Sequence, residues 1–463
     1  MSTSKYEHVY FVGIGGIGMS ALARYYNLKG VKVSGYDKTE TALTRKLVGE
    51  GIDIIYEDNV AHAVADIDLV VYTPAVPENL AILQNLRSRG LPVVKRAKLL
   101  GLISEEGRCI AVSGTHGKTT TSSVVAHCLK ASGVDISAFL GGILAGYETN
   151  YFLGNSDWLV VEADEFDRSF HHLHPEIAII NAMDADHLDI YGSQEAFTEA
   201  FFEFGMGMQK GGKLLVRDKA LKFFSEEQMQ LLQKNVDIIS FGTDEACDVK
   251  IEVKDYLPGG KPVFDLVMAD GSTWKGLQFT LPGIHNICNA TAAAMAASFA
   301  GVEVEKIENA LSTFKGVKRR FERLYESEKT TLIDDYAHHP EEIMAICAAV
   351  KEAYRGKKIL AIFQPHLYSR TKDFMTEFAE ALDGFEEVVL LDIYPAREAP
   401  IEGVTSEALA QRMKSRVSVL NKDELIAGLR DKNYDVLLTL GAGDIDTKHK
   451  ELIELMIERS EHK

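Results

Sequence analysis

The segment Ala111-Val-Ser-Gly-Thr-His-Gly-Lys-Thr-Thr-Thr121 carries the residues of this chain with the plainest chemistry. An apolar run from Cys109 to Ser113 breaks at Gly114 and Gly117 and gives way at once to Lys118, Thr119 and Thr120. Glycines let backbone N–H groups close on a phosphate, a lysine supplies charge, and a threonine hydroxyl suits a phosphate-bound Mg²⁺. The pattern is a P-loop in compact form, because the position where the general spacing has its first glycine is Val112. It predicts a nucleoside triphosphate held by Gly114, Thr115, His116, Gly117, Lys118, Thr119 and Thr120.

Other candidate groups stand where apolar runs end. Gly13-Ile-Gly-Gly-Ile-Gly18 follows the first such run, and Asp37 ends the second. That spacing fits a diphosphate-bridged ligand, with glycines for a tight turn and close approach and an acid for a sugar or base edge. Its commonest reading is NAD or FAD, but the diphosphate bridge also describes UDP-sugars, and the downstream P-loop makes a redox role less economical. Glu162-Ala-Asp-Glu-Phe-Asp167 also closes an apolar run, and Glu162, nearest its end, is the best placed acid to reach a phosphate-bound Mg²⁺. Asp164, Glu165 and Asp167 then read as solvated loop acids. Asp186 and His187 follow another run and fit a metal or phosphate role. The histidines of Phe170-His-His-Leu-His174 lack metal-ligand spacing and read as surface or capping residues. Asp334-Asp-Tyr-Ala-His-His-Pro340 and Phe363-Gln-Pro-His-Leu-Tyr-Ser-Arg-Thr371 bring Asp335, Tyr336, His338 and Arg370 to two more such exits. There Asp335 can accept from a ribose hydroxyl, and Arg370 can pair with a carboxylate.

The elements that must position these groups alternate between strand and helix. Val9-Tyr-Phe-Val12, Val31-Lys-Val-Ser-Gly-Tyr36, Leu69-Val-Val-Tyr72 and Leu91-Pro-Val-Val94 read as strands of a parallel sheet with crossover helices. A second series begins at Cys109 and continues through Trp158 to Glu162, Ile177 to Asn181 and Lys213 to Val216. Hairpins are expected between residues 249 and 280, and an alanine-rich helix after Pro282-Gly-Ile-His-Asn286. Beyond Phe314-Lys-Gly-Val-Lys-Arg-Arg-Phe321, where a glycine and four cations interrupt the pattern, a third alternation runs through Thr331, Ile359, Val388 and Val436. The expected fold is α/β throughout, in domains spanning residues 1–105, 106–317 and 318–463.

A chain of 463 residues, 46% of them hydrophobic, is long enough for three domains each with its own core. A formal charge of −18 argues against general nucleic-acid binding, so anionic ligands must be met by local cations and helix N-termini. Neither a leader pattern nor a membrane-length apolar run is apparent, and the chain reads as cytoplasmic, without membrane insertion. Its five cysteines, Cys109, Cys128, Cys247, Cys288 and Cys347, form no CxxC pair and read as reduced thiols.

In order along nearly the whole chain, these motifs, with Gly283-Ile-His-Asn286, Asn289, Lys318-Arg-Arg320 and Gly441-Ala-Gly-Asp444, resemble the Mur ligases of bacterial cell-wall synthesis. The closest likeness is to members that add alanine. The resemblance implies a Rossmann-like N-terminal domain for a UDP-sugar, a central P-loop ATPase domain, and a Rossmann-like C-terminal domain that brings the amino acid. It implies an ATP-dependent ligase for peptidoglycan precursors, joining UDP-N-acetylmuramate to L-alanine through an acyl phosphate, with two Mg²⁺ ions and a monomer or weak homodimer. Residue by residue, it implies Lys118, His187 and Arg320 in catalysis, with Arg319 a close competitor of Arg320. Thr119, Glu162 and His187 would hold metal, and His285, Asn286, Asn289 and Asp335 would bind ATP beside the P-loop. Gly13, Gly15, Gly16, Gly18, Asp37 and Thr73 would bind the UDP-sugar, and Tyr336, His338 and Arg370 the amino acid.

The chain departs from the family pattern at three places. Relatives that add later amino acids carry a carbamylated lysine where Phe202 stands, the alanine pattern has an arginine at Leu367, and Ala182 and Asp184 replace an asparagine and a glutamate. Three other readings remain open on sequence. One is a recycling ligase that attaches a preformed tripeptide to the same sugar; another is an NAD(P)-dependent oxidoreductase using the first domain; the third is a non-catalytic nucleotide sensor.

Overall fold

A computed structural model describes residues 5–60, 66–73, 76–105, 107–165, 168–184, 191–396 and 398–462. Its strands form three sheets. The first holds β1 (His8–Val12), β2 (Lys32–Tyr36), β3 (Asp53–Ile55), β4 (Leu69–Tyr72) and β5 (Val93–Lys95) in the order β3-β2-β1-β4-β5, all parallel. Strand order reverses at β1, so the glycine turn after it opens into the crevice beside β4, where an open α/β sheet gathers ligands.

The second sheet contains β6 (Arg108–Ser113), β7 (Ser137–Leu144), β8 (Thr149–Phe152), β9 (Trp158–Glu162), β10 (Ile177–Ile180), β11 (Lys213–Arg217), β12 (Asp237–Gly242), β13 (Val249–Leu257), β14 (Lys261–Met268) and β15 (Thr273–Gln278). Its order is β15-β14-β13-β12-β11-β10-β6-β9-β7-β8. β6 runs through the centre, fully buried from Cys109 onward, and delivers the P-loop between β9 and β10. The segment expected as hairpins is β13 to β15, antiparallel strands that extend the same sheet.

The third sheet runs β16-β17-β21-β18-β19-β20, with β16 (Glu322–Glu326), β17 (Thr331–Asp335), β18 (Ile359–Phe363), β19 (Glu387–Leu390), β20 (Arg416–Val419) and β21 (Val436–Leu440). Only β16 is antiparallel to its neighbour.

Apolar packing ties the three sheets together. Val9 and Phe11 of β1 share one buried cluster with Ala111, Val161 and Ile180 on one face of the second sheet. On its other face, Val124 and Val125 of the helix Lys118–Ala131 share a cluster with Ile343, Ile346 and Val350 of the helix Pro340–Ala353. Two further contacts bind the third sheet to the second. The linker lies along the end of β7, where Ala145 N–H donates to Gly316 O at 3.0 Å and Lys318 N–H to Ile143 O at 2.9 Å. Far from it, the tip of the β13–β14 hairpin meets the end of helix Pro340–Ala353. Arg323 Nη2 donates to Gly259 O at 2.8 Å, and a Cβ on Gly260 would fall 2.5 Å from Ala353 Cα.

Candidate active site

The P-loop is built by a fully buried strand feeding a helix whose first turn has no side-chain cap. Gly117, at φ +80°, occupies the N-cap position of helix Lys118–Ala131. The N–H groups of that first turn are thus left for an anion, which the helix dipole also favours. A Cβ at Gly117 would stand 2.6 Å from Asn289 Oδ1 and 3.1 Å from Asn181 Nδ2, so the loop closes on two asparagines that only glycine admits. Asn181 is itself fixed by donating to Thr121 Oγ1 at 2.8 Å. Thr115 Oγ1 and Asn181 Oδ1 are buried with no hydrogen-bond partner among the described residues, which marks them as groups awaiting a ligand.

Lys118 Nζ donates to Gly114 O at 2.8 Å and to Glu165 Oε1 at 2.7 Å. Burial works against the ammonium, but Glu165 beside it outweighs that and raises the lysine pKa. Glu165 is fully buried, which corrects its reading as a solvated loop acid. A carboxylate can be buried at this strand exit because the lysine neutralises it. The sequence signal was available: Glu165 is three residues past the end of β9, beside the strand that carries the P-loop.

Glu162 stands at the end of β9 with Oε1 accepting from Thr119 Oγ1 at 3.1 Å and Oε2 accepting from Gly141 N at 3.0 Å. Burial pushes its carboxyl up, with Lys118 opposing. Two glycines of β7 make the room: a Cβ on Gly141 would lie 2.4 Å from Glu162 Oε2, and one on Gly142 would press Thr119 and Val317. Leu140-Gly-Gly-Ile143, unremarked in the sequence reading, is therefore part of this cradle. A hydroxyl and a carboxylate side by side are the hard oxygen donors that Mg²⁺ takes. Asp167, Asp186 and His187 lie outside the described residues.

Two cavities open on this loop, and a third ends beside it at Glu162. The largest, about 470 Å³, is lined by His116, Gly117 and Thr120, by His285, Asn286 and Asn289, and by Arg320 and Asp335. One face of helix Pro340–Ala353, through Glu342, Ala345, Ile346, Ala349 and Glu352, covers it. Arg217, Lys219, Phe223 and Tyr256 complete the wall and were not found from sequence. Asn286 holds the turn before its helix by donating Nδ2 to Pro282 O at 2.8 Å, and Asn289 Nδ2 reaches Asn286 Oδ1 at 3.4 Å. Burial, aided by Arg217, lowers the His285 pKa to about 4. The Asp335 oxygens accept from Phe321 N and Ala337 N, each at 2.8 Å, and burial pushes the carboxyl up to about 6.

The second cavity, about 150 Å³, is lined by residues 115–120, Glu162, Arg320, His338, His339, Glu342 and Arg370. The neighbouring arginines of the linker divide their work. Arg319 donates to Asp334 Oδ2 at 3.1 Å, Gly443 O at 3.2 Å and Gly441 O at 2.5 Å, and so fastens the third sheet. Arg320 lines both cavities. Tyr336 stacks under both guanidinium groups at 5.1 Å and packs edge-on against His338. Arg370 reaches His366 Nδ1 at 3.5 Å. Gln364 has an architectural part: Nε2 donates to Asp444 Oδ1 at 2.8 Å and Oε1 accepts from Ile445 N at 3.0 Å, which orders residues 441–444.

The third cavity, about 160 Å³, runs from Gly18, Ala21 and Arg96 through Leu140 and Asn150 to Glu162 and Asp164. It links the glycine turn of the first sheet to Glu162, beside the P-loop. Asp37 holds that turn, accepting from Gly15 N at 2.7 Å and Thr39 N at 3.1 Å. Thr73 faces Gly13 across the crevice, its Cγ2 2.9 Å from where a Cβ would stand. Arg96, missed in sequence, brings a cation next to Gly18. His171 and His174, by contrast, bind the Ala200 and Gly207 carbonyls at 2.8 and 2.9 Å, a helix-fastening role away from the cavities.

Comparison with known proteins agrees in all three parts of the chain. Residues 8–108 match the Mur ligase family catalytic domain, residues 112–297 the Mur ligase middle domain, and residues 319–443 the Mur ligase glutamate ligase domain. The UDP-N-acetylmuramate–L-alanine ligase of Cytophaga hutchinsonii is 44% identical over 457 residues, covering 96% of each chain. That of Flavobacterium johnsoniae is 45% identical over 450 residues, 96% of this chain and 97% of its own. Among solved structures, the UDP-N-acetylmuramate-alanine ligase of Thermotoga maritima superposes with a TM-score of 0.75 at 29% identity, over 98% of this chain and all of that one. A murein peptide ligase from Psychrobacter arcticus shares the fold at 24% identity, with a TM-score of 0.66 over 97% and 98% of the two chains.

Proposed function

The chain belongs to the Mur ligase family, and from that premise we propose that it joins UDP-N-acetylmuramate to L-alanine, converting ATP to ADP and phosphate, in peptidoglycan precursor synthesis. The observation that carries this reading is that two cavities open on the P-loop while a third, from the first sheet, ends at Glu162, which Thr119 of that loop touches. A ligase that spends a nucleotide to join two further molecules needs that arrangement, whereas an oxidoreductase in the first domain has no use for the other two cavities. The proposed division of labour gives residues 1–105 to the UDP-sugar, 106–317 to ATP and 318–463 to the amino acid. No described helix is long and apolar enough to cross a membrane. The reading sets the enzyme in the cytoplasm, where its nucleotide substrates are made.

A carboxylate is a poor electrophile, so the sugar's carboxylate first takes the γ-phosphoryl group, and the amine then displaces phosphate from the acyl phosphate. Charge builds up in both steps, and cations fixed around the reacting groups stabilise it. Lys118 and the first turn of its helix hold the β- and γ-phosphates, and Arg320 neutralises the phosphoryl group in transfer. His285, Asn286 and Asn289 flank the base, and Asp335 takes the ribose. The sugar's glycine turn and Thr73 bind the diphosphate side of the first substrate, with its reactive end carried toward Glu162. Arg370, His338 and Tyr336 make the amino-acid pocket. Thr119 and Glu162, with His187, would hold Mg²⁺, which supplies charge neutralisation to the phosphates when bound.

The direct test offers L-alanine, glycine, L-serine and the tripeptide in parallel with ATP, Mg²⁺ and UDP-N-acetylmuramate, and weighs the product. The L-alanine adduct is expected, with ADP released only when every substrate is present. Exclusive formation of the tripeptide adduct would assign a recycling ligase instead, and no adduct with any of the four would remove the ligase reading.

A further inference from the structure

Glu342 was in none of the motifs, yet its carboxylate stands where the third sheet's helix meets the P-loop. It lies in the first turn of helix Pro340–Ala353 and lines both the 470 Å³ and the 150 Å³ cavity. Oε2 accepts from the His338 backbone N–H at 3.0 Å and lies 3.3 Å from His338 Nδ1. Oε1 lies 3.4 Å from His116 Nδ1 and 3.9 Å from Arg320 Nη1. Burial works against this charge, but the ring N–H of His338, together with His116 and the Arg320 guanidinium, holds the carboxyl well below the usual range. An ionised acid beside a polyphosphate site repels the ligand, so its presence calls for a function that offsets the repulsion.

The His338 ring shows one. Its Nδ1 faces the Tyr336 carbonyl oxygen at 3.0 Å as well as Glu342 Oε2. A carbonyl and a carboxylate only accept, so Nδ1 must carry the ring's proton, and in a neutral imidazole that leaves Nε2 as the acceptor. Burial lowers the ring's pKa to about 4, Glu342 opposing and Arg370 and Arg320 assisting, which favours the neutral form. It shares the 150 Å³ cavity with Arg370.

We propose that Glu342 is a positioning residue for amide formation: it fixes His338 as the Nδ1–H tautomer, so that Nε2 accepts a proton from the amino group of the incoming amino acid. The inference rests on the ligase reading above. The amino acid arrives as an ammonium without a lone pair. Nε2 takes one proton from it and passes that proton to water. The freed lone pair forms the C–N bond at the acyl phosphate carbon, and collapse of the tetrahedral intermediate breaks the C–O bond to the phosphoryl group. That group leaves with the electron pair and takes up the second nitrogen proton as hydrogen phosphate. Through Oε1 the same carboxylate touches the P-loop at His116, so the acceptor is aligned only while the helix rests on the loop that holds the triphosphate.

Full-length enzyme with saturating ATP, Mg²⁺ and UDP-N-acetylmuramate is assayed with L-alanine or with hydroxylamine, which is mostly unprotonated at neutral pH and needs no acceptor. Glu342→Gln should lose about tenfold or more with L-alanine, with hydroxamate formation falling by less than about threefold. In a His338→Ala background the same change should cost no more than about twofold further, since the effect runs through that ring. Equal losses with both nucleophiles, or full additivity with His338→Ala, would overturn the proposal and assign Glu342 to the P-loop alone. The melting temperature reports whether Glu342→Gln folds, and Glu342→Asp, with its carboxylate drawn back one methylene, should show the same split. Wild-type enzyme that makes neither amide nor hydroxamate would instead remove the ligase reading.

Discussion

Lys118 Nζ lies 2.7 Å from Oε1 of Glu165, a carboxylate with no exposed surface. The P-loop lysine is thus also the cation that makes a buried acid tolerable. Lys118→Ala should abolish ADP formation and, by leaving that acid without its cation, destabilise the surrounding domain by about 3–5 kcal/mol. Lys118→Ala combined with Glu165→Gln should regain much of the thermal stability and none of the activity. UDP-sugar binding, measured by calorimetry, should stay close to wild type in both. A single variant as stable as wild type would contradict the pairing.

Gly117→Ala tests the closure of the loop. Its φ of +80° and the 2.6 Å gap from a Cβ to Asn289 Oδ1 leave no place for a methyl group. The KM for ATP should rise about tenfold or more, consistent with a left-handed residue costing 1–2 kcal/mol before any steric clash is counted. An unchanged KM would show that the loop yields freely.

The two linker arginines should separate in opposite readouts. Arg320→Ala should lower kcat by about 10²-fold or more while leaving the melting temperature nearly unchanged, because its charge faces the cavities. Arg319→Ala should instead strip the cation from buried Asp334 and destabilise the third sheet by about 3 kcal/mol or more. Interchanged phenotypes would reverse the assignment.

Asp335 predicts a pH dependence of stability. Burial raises its carboxyl from 3.8 to about 6, so between those values the folded state holds a proton that the unfolded state has lost. Its contribution is therefore complete below the unfolded value and disappears as the pH climbs through the folded one. Stability should fall across that window by on the order of 2–3 kcal/mol from this residue, and Asp335→Asn should flatten the slope. Urea unfolding at a series of pH values checks it, and equal slopes in the two proteins would refute it.

Sequence alone reached the central strands and stopped at the margins. β1, β4, β6, β10 and β21 are continuous apolar runs because both faces of each are covered. β3 and β20, at sheet edges, and β16 are short or half-exposed, and neither periodicity marked them. β7 went unremarked because Gly141 and Gly142 interrupt its apolar run, although those glycines are what let Glu162 and Thr119 approach. In the site, motif residues declared themselves by lying at strand exits. Glu342 did not, since an acid in the first turn after Pro340 is what any helix prefers, and only the fold brings His116 to it across 226 residues of chain. Separation in sequence likewise hid Arg96 and Arg217.

The helix Pro340–Ala353 is fastened at both ends, by Glu342 to His116 and by the close fit of Ala353 against Gly260. At 1.5 Å per residue it spans about 21 Å, with one face over the 470 Å³ cavity. A beam pinned at two points does not peel open from one end. A ligand seated beneath that face could leave by this side only if both contacts parted together.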